Sequence, residues 1–267
     1  MKRIALILAG GAGTRLRPLS SDENPKQFLR IFVGQSLLQK TAARLRDFDS
    51  LYISTNELYA GKCAEHVPDA TVLTEPERRN NAAAITLCCF EIEAFEGECV
   101  IAVLPSDHFI RDEDAFRRVL DRAMRFAEST DYLVTIGITA TEPNTGYGYL
   151  QLDGEIEPGV IRLERFTEKS TRERAGEFIR AGNYAWNAGI FVWRATVFRR
   201  AIEAVAPEVA AVTRRNYATM PSISIDYALM EKAPRVAAVR GDFGWSDVGS
   251  FDALRAVGVD VDALLRK

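Results

Sequence analysis

Leu8-Ala9-Gly10-Gly11-Ala12-Gly13-Thr14-Arg15-Leu16-Arg17-Pro18-Leu19-Ser20 continues straight from the apolar run Ile4 to Leu8, and the join between the two decides the fold. An apolar run of this length reads as a buried parallel strand. Gly10, Gly11 and Gly13 then let backbone N–H groups approach an anion with no Cβ in the way. Arg15 adds a fixed positive charge, and Pro25-Lys26-Gln27-Phe28 brings a second cation. A loop built in this way holds a polyphosphate.

Working outward, strand-like runs near 3–9, 51–55, 71–74, 99–104 and 132–138 alternate with helical periodicity near 36–46, 57–65, 79–96 and 112–129. Such alternation predicts a parallel sheet with right-handed crossovers, with ligands beyond the carboxyl ends of the strands. The glycine loop and Pro105-Ser106-Asp107-His108 both fall at such ends. After about residue 139 a glycine-aromatic turn, Asn144 to Tyr149, introduces short alternating runs around 149–152 and 160–166. Helices are expected over 171–181, 195–205 and 225–232, the last opening on a Ser224 cap. This half predicts a small α+β lobe packed over the sheet, followed by a terminal helix over 251–267.

Composition narrows the class. The 267 residues are 47% hydrophobic and 27% charged with a net charge of −3, which fits a soluble globular chain and lacks the basic face of a nucleic-acid binder. No apolar stretch is long enough to cross a bilayer, and Met1-Lys2-Arg3 runs into a strand with no leader, so a cytoplasmic, membrane-free protein is expected. Cys63, Cys88, Cys89 and Cys99 lack metal-binding spacing and read as reduced, buried thiols; two histidines are too few for a His-rich zinc site.

Two other phosphate loops are set aside on their own terms. A Walker A loop needs Lys-Ser or Lys-Thr directly after its glycines, and Lys169-Ser170 lacks those glycines. A dinucleotide fingerprint needs a third glycine where Leu16 stands, and an acidic ribose partner where the second strand ends in Ser54-Thr55-Asn56. Residues 8–28 instead resemble the opening signature of the sugar-nucleotide pyrophosphorylases. Glu75-Pro76, Arg79-Asn80, Leu104 to His108, Thr145 to Tyr149, Phe166 to Lys169, Trp186 to Phe191, Ser224 to Lys232 and Gly244 to Ser250 are similar, in order, to blocks of the mannose-1-phosphate guanylyltransferases. Arg17, Ser170 and Glu77-Arg78 depart from that pattern, at positions that bear on substrate preference. The C-terminal β-helix or cupin-like domain carried by many relatives is not expected here.

The resemblance implies an α/β fold with a Rossmann-like, mixed or mostly parallel sheet flanked by helices. It implies one nucleotidyltransferase domain over 1–267, with a nucleotide-binding half (1–138) and a sugar-binding half (139–250). It also implies GTP and mannose 1-phosphate as substrates, Mg²⁺ as cofactor, GDP-mannose and pyrophosphate as products, and is compatible with a homodimer. The nucleophile is a phosphate oxygen with a second pKa of about 6, so no general base is needed; positioning and cations carry the reaction.

The resemblance assigns Arg15, Lys26, Asp107, Lys169 and Asp247 to catalysis. Arg15 is expected on the leaving phosphates, Lys26 near the α-phosphate, Lys169 on the sugar phosphate, and Asp107 with Asp247 on the metal. Leu8, Ala9, Gly10, Gly11, Gly13, Thr14 and Ser106 belong to the nucleotide site, with Glu75 and Asn80 as readers of guanine. Glu168 and Asn187 are placed on the sugar hydroxyls, Gly146, Tyr147 and Gly148 against the ring, and Asp226 at the pocket wall. Trp186, Trp193 and Trp245 read as core, and His108 as a residue that orients its loop. Another nucleotide and hexose 1-phosphate pair, or a non-catalytic nucleotide-sugar-binding protein, remain the alternatives.

Overall fold

A computed structural model describes residues 1–11, 13–32 and 34–266. The first half folds as the alternation predicts. Strands β1 (Lys2–Leu8), β2 (Ser50–Asn56), β3 (Thr71–Glu75) and β4 (Cys99–Pro105) lie parallel in the order β3-β2-β1-β4. They are joined through helices α1 (Leu37–Ala43), α2 (Glu57–His66) and α3 (Asn80–Glu96). Alternate residues of β1 face opposite ways: Ala5 and Ile7 enter one apolar cluster, Ile4 and Leu6 the other. Both faces of the sheet are therefore covered, which is why the strands read as continuous apolar runs. All four cysteines are free and buried.

A two-residue strand β5 (Phe109–Ile110) leads into α4 (Glu113–Ser129), which the Asp112 side chain caps by accepting from Ala115 N–H at 2.8 Å. Phe116, Leu120, Ala123, Met124 and Ala127 form the buried stripe of that helix. The chain continues through β6 (Leu133–Thr139), β7 (Tyr149–Glu157), β8 (Val160–Thr167), α5 (Arg172–Ala181), β9 (Tyr184–Arg194), α6 (Ala195–Val205) and α7 (Pro207–Ala210). It ends with β10 (Val236–Gly241), β11 (Trp245–Ser246), α8 (Phe251–Ala256) and α9 (Val261–Leu265).

The second half departs from expectation, first in that its strands do not form a layer over the sheet but extend it. One nine-stranded sheet runs β3-β2-β1-β4-β9-β6-β10-β8-β7, and β7 also pairs with the start of β9. The sheet is mixed, because β9 is antiparallel to both β4 and β6. Strands β9 and β10 lie outside the expected set. The interior Asn187 and Gly189 disguise β9 as a loop, although its flanks are buried on both faces. The expected helix over 225–232 is a π-helical turn, Asp226–Met230, and the expected terminal helix is two short ones separated near Gly258, whose φ is +90°. No described helix is long and apolar enough to cross a membrane.

Candidate active site

The glycine loop is held from behind. Gln27, 2% exposed, donates through Nε2 to the carbonyls of Ala9 (2.8 Å) and Gly11 (3.0 Å), and Ser20 Oγ donates to the Gly13 carbonyl (2.6 Å). In a planar trans peptide the N–H points opposite the carbonyl. The N–H groups of Gly10 and Thr14 are thus turned away from these side chains. Gly13 sits at φ +61°, and a Cβ there would lie 2.6 Å from Lys26 Cβ. The glycine is required by both conformation and space. Neither Gln27 nor Ser20 was singled out by the sequence; the one available signal was that Gln27 follows Lys26 in the same block.

Lys26, 5% exposed, brings distant parts of the chain together. Its ammonium lies 2.9 Å from Asp107 Oδ2 and donates to the backbone carbonyl of Asp247. Burial works against charge on Asp107, but the Lys26 ammonium together with its hydrogen bond and the loop around it keeps the carboxyl below its ordinary range. Asp247 Oδ1 accepts from the Tyr147 hydroxyl (3.0 Å) and from Gly249 N–H (3.1 Å), and its Oδ2 lies 3.9 Å from Arg15. Lys26 therefore lies with the two aspartates, and Tyr147 donates to a carboxylate where contact with the sugar ring was expected. Among the described residues no three His, Cys, Asp or Glu side chains gather as a metal site. Lys26 joins the two segments, taking Asp107 by its carboxylate and Asp247 by its main-chain carbonyl.

Ser106 is locked beside the loop, its N–H on the Leu8 carbonyl at 3.1 Å and its own carbonyl accepting from Thr41 Oγ1 at 3.2 Å. Glu75, 8% exposed, has Oε1 so close to Gly10 that a Cβ there would sit 2.6 Å away, while Oε2 accepts from the Tyr217 hydroxyl at 2.8 Å. Burial raises the Glu75 carboxyl above its usual range. Asn80 is exposed and its side chain accepts from the next backbone N–H, so the structure gives it no approach to the loop. Its neighbour Asn81, not anticipated, accepts from Ile225 N–H at 2.7 Å and fastens the α3 start to the segment before Asp226.

In the second half of the chain, Asn187 Nδ2 donates to Asp226 Oδ1 at 3.1 Å, and the Asn187 backbone N–H donates to the Gly148 carbonyl at 2.8 Å. Glu168 lies beside Gly148, where a Cβ would be 2.7 Å from Oε2. Gly146 is held by Asn144, whose Oδ1 accepts its N–H at 2.8 Å. Burial, then the nearby Asp226, pushes the Glu168 carboxyl up to about 7; burial pushes Asp226 up to about 6. A carboxyl with a raised folded-state pKa favours folding most at acid pH, and that contribution is lost as pH rises from its unfolded value toward about 7. The Tm of Glu168→Gln minus that of wild type is accordingly expected to grow between pH 5 and pH 8. Thermal melts of both proteins across that range check it; a constant gap contradicts the shift.

His108 accepts through Nδ1 from Trp245 Nε1 at 3.1 Å, and burial first of all pushes its pKa down, so the ring is neutral and ties the 245 loop to the 107 loop. Tyr147 packs edge-on against both Trp186 and Trp245. A cleft of about 1120 Å³ opens alongside, lined by Arg15, Tyr147, Trp186, Trp245 and Asp247 among others. The non-glycine residues with positive φ are Asn80 (60°), Lys169 (50°) and Val248 (38°), among the described residues. Such conformations cost about 1–3 kcal/mol each and collect at functional sites. Two of the three stand at, or next to, residues assigned here to substrate.

Residues 4–263 match the model of the nucleotidyl transferase family, and the chain belongs to that family. A mannose-1-phosphate guanylyltransferase of Sinorhizobium fredii is 35% identical over 279 residues, covering 95% of this chain and 54% of the relative. The xanthan biosynthesis protein XanB of Xanthomonas campestris pv. campestris is 36% identical over 275 residues, covering 94% and 58%. The chain thus spans somewhat more than half the length of these relatives. A crystal structure from Thermus thermophilus, described as a mannose-1-phosphate geranyltransferase, superposes with a TM-score of 0.90 at 35% identity, covering 97% of this chain and 80% of that one.

Proposed function

We propose that the protein transfers GMP from GTP to mannose 1-phosphate, giving GDP-mannose and pyrophosphate, in the cytoplasm and with Mg²⁺. The observation that carries this reading is the meeting of Lys26, Asp107 and Asp247 beside a loop whose carbonyls are pinned away from the cleft. The choice of mannose and guanine is supported by the relatives' names. The same reading gives nucleotide binding to 1–138 and sugar binding to 139–250.

A phosphate oxygen of the sugar attacks the α-phosphorus, and the bond to the β-phosphate oxygen breaks. Backbone N–H groups of the loop and Arg15 hold the departing pyrophosphate. Lys26 offsets charge on the α-phosphate, and Lys169 holds the attacking phosphate. Glu168, Asn187 and Asp226 orient the sugar, and Glu75, with Oε1 next to Gly10, is suited to accept from the N–H donors of guanine. The Asp107 carboxylate and the Asp247 main-chain carbonyl converge on the Lys26 ammonium, and the carboxylates of these two residues would suit a hard divalent ion that also takes phosphate and water oxygens. Mg²⁺ bound there supplies charge neutralisation for the phosphates.

Pyrophosphate release measured for five nucleoside triphosphates against several hexose 1-phosphates tests this. GTP with mannose 1-phosphate is expected to give the highest kcat/KM by at least tenfold. A different best pair changes the substrate assignment, and silence with every pair removes the enzymatic one.

A further inference from the structure

We infer that Thr135, a residue marked by no motif, is the positioning residue that fixes the orientation of the Asn187 amide and so the sugar-reading face of the site. The inference rests on the proposed function for its kinetic readout. Thr135 is fully buried on β6, opposite an irregularity in β9. Thr135 pairs with Phe191 and Gly137 with Asn187, so one β6 residue faces three on β9. Gly189 makes the detour possible at φ +64°. A bulge of this kind re-aims a side chain and leaves ladder groups unpaired. Here it leaves the Ile190 carbonyl and the Asn187 amide facing the Thr135 hydroxyl, at 3.1 and 2.9 Å.

The donors and acceptors allow one arrangement. Gly189 N–H, which can only donate, points at Asn187 Oδ1 from 3.1 Å. Asp226 Oδ1 stands 3.1 Å from Nδ2 and accepts. With the amide turned over, Nδ2 would meet the Gly189 N–H and Oδ1 would meet a carboxylate that burial already disfavours. Thr135 completes the set from the core side, its single hydroxyl proton facing both Oδ1 at 2.9 Å and the Ile190 carbonyl at 3.1 Å. The amide carbonyl is thereby held between Gly189 N–H and the Thr135 hydroxyl, and the inference gives the second Nδ2 hydrogen to a sugar oxygen beside Asp226. Thr135 makes no contact with the loop, Lys26 or Asp107 in this network, so its effect is expected to be confined to the sugar.

Thr135→Val keeps the shape and removes the donor; Thr135→Ser keeps the donor and removes a methyl. With Thr135→Val, the KM for mannose 1-phosphate is expected to rise about tenfold, the KM for GTP to stay within twofold, and the preference for mannose over glucose 1-phosphate to fall at least fivefold. Thr135→Ser is expected within twofold of wild type in all three. An unchanged Thr135→Val, equal losses for both sugars, or a serine variant as impaired as the valine one overturns the inference. If Thr135→Val does not fold, the serine variant decides: a loss of fivefold or more in sugar KM contradicts it. Side-chain amide NMR of Asn187 separates this from the reaction itself. Slow-exchanging Nδ2 protons in wild type and Thr135→Ser but not in Thr135→Val support the inference even if no sugar phosphate is turned over, and identical spectra overturn it.

Discussion

Asp247→Asn and Asp107→Asn are each expected to lower kcat at saturating substrates by about 10³-fold, the upper range for removing one preorganised electrostatic group. The two side chains differ in how they are held. Asp107 pairs directly with the Lys26 ammonium. Asp247 takes Lys26 on its backbone carbonyl and uses its carboxylate for Tyr147, Gly249 N–H and the more distant Arg15. Asparagine at 247 still accepts from Tyr147 and Gly249, so the loop is expected to stay folded and Tm to change little. What is lost is charge: the divalent ion would then lack an anionic ligand and hold the phosphates less firmly in place. Pyrophosphate release at saturating Mg²⁺, beside thermal melts, measures this. Retention of more than a tenth of wild-type kcat in both variants contradicts the metal assignment.

Lys169→Ala is expected to raise the KM for mannose 1-phosphate about 100-fold while the KM for GTP moves less than twofold. A hydrogen bond to a charged group contributes about 1.5–3 kcal/mol, and the upper part of that range corresponds to a 100-fold change. Lys169 also carries backbone strain at φ +50°, so alanine alone does not separate charge from loop geometry. Lys169→Gly relieves the strain while removing the same charge. Matching losses in the two variants therefore assign the effect to the ammonium. Equal losses for sugar phosphate and nucleotide show instead that the segment merely supports the site.

Much of the site was legible because its chemistry needs particular residue types at fixed local spacing. The glycines after β1 and Asp107 after β4 fall at strand ends that the apolar runs already marked, and Lys26 follows the glycines in the same motif. The two residues expected to read guanine are divided: Glu75 lies beside Gly10, whereas Asn80 turns back on its own backbone. Gln27, Ser20, Asn81 and Thr135 were not legible. Each acts through one or two hydrogen bonds to backbone or amide groups that only the folded chain brings near, and a lone glutamine or threonine in a sequence carries no mark of that.

The sequence by itself determined the parallel half of the sheet, the glycine loop after β1 and the family, since these follow from periodicity and from motifs within a few residues. The tertiary structure alone decided that the second half joins the same sheet through antiparallel β9, and that a bulge in that strand turns Asn187 toward Asp226. It also decided that Lys26 bridges segments 81 and 221 residues away. Strand order and ion pairing across such separations depend on which buried surfaces and polar groups satisfy one another in the packed core, and local pattern does not encode that choice.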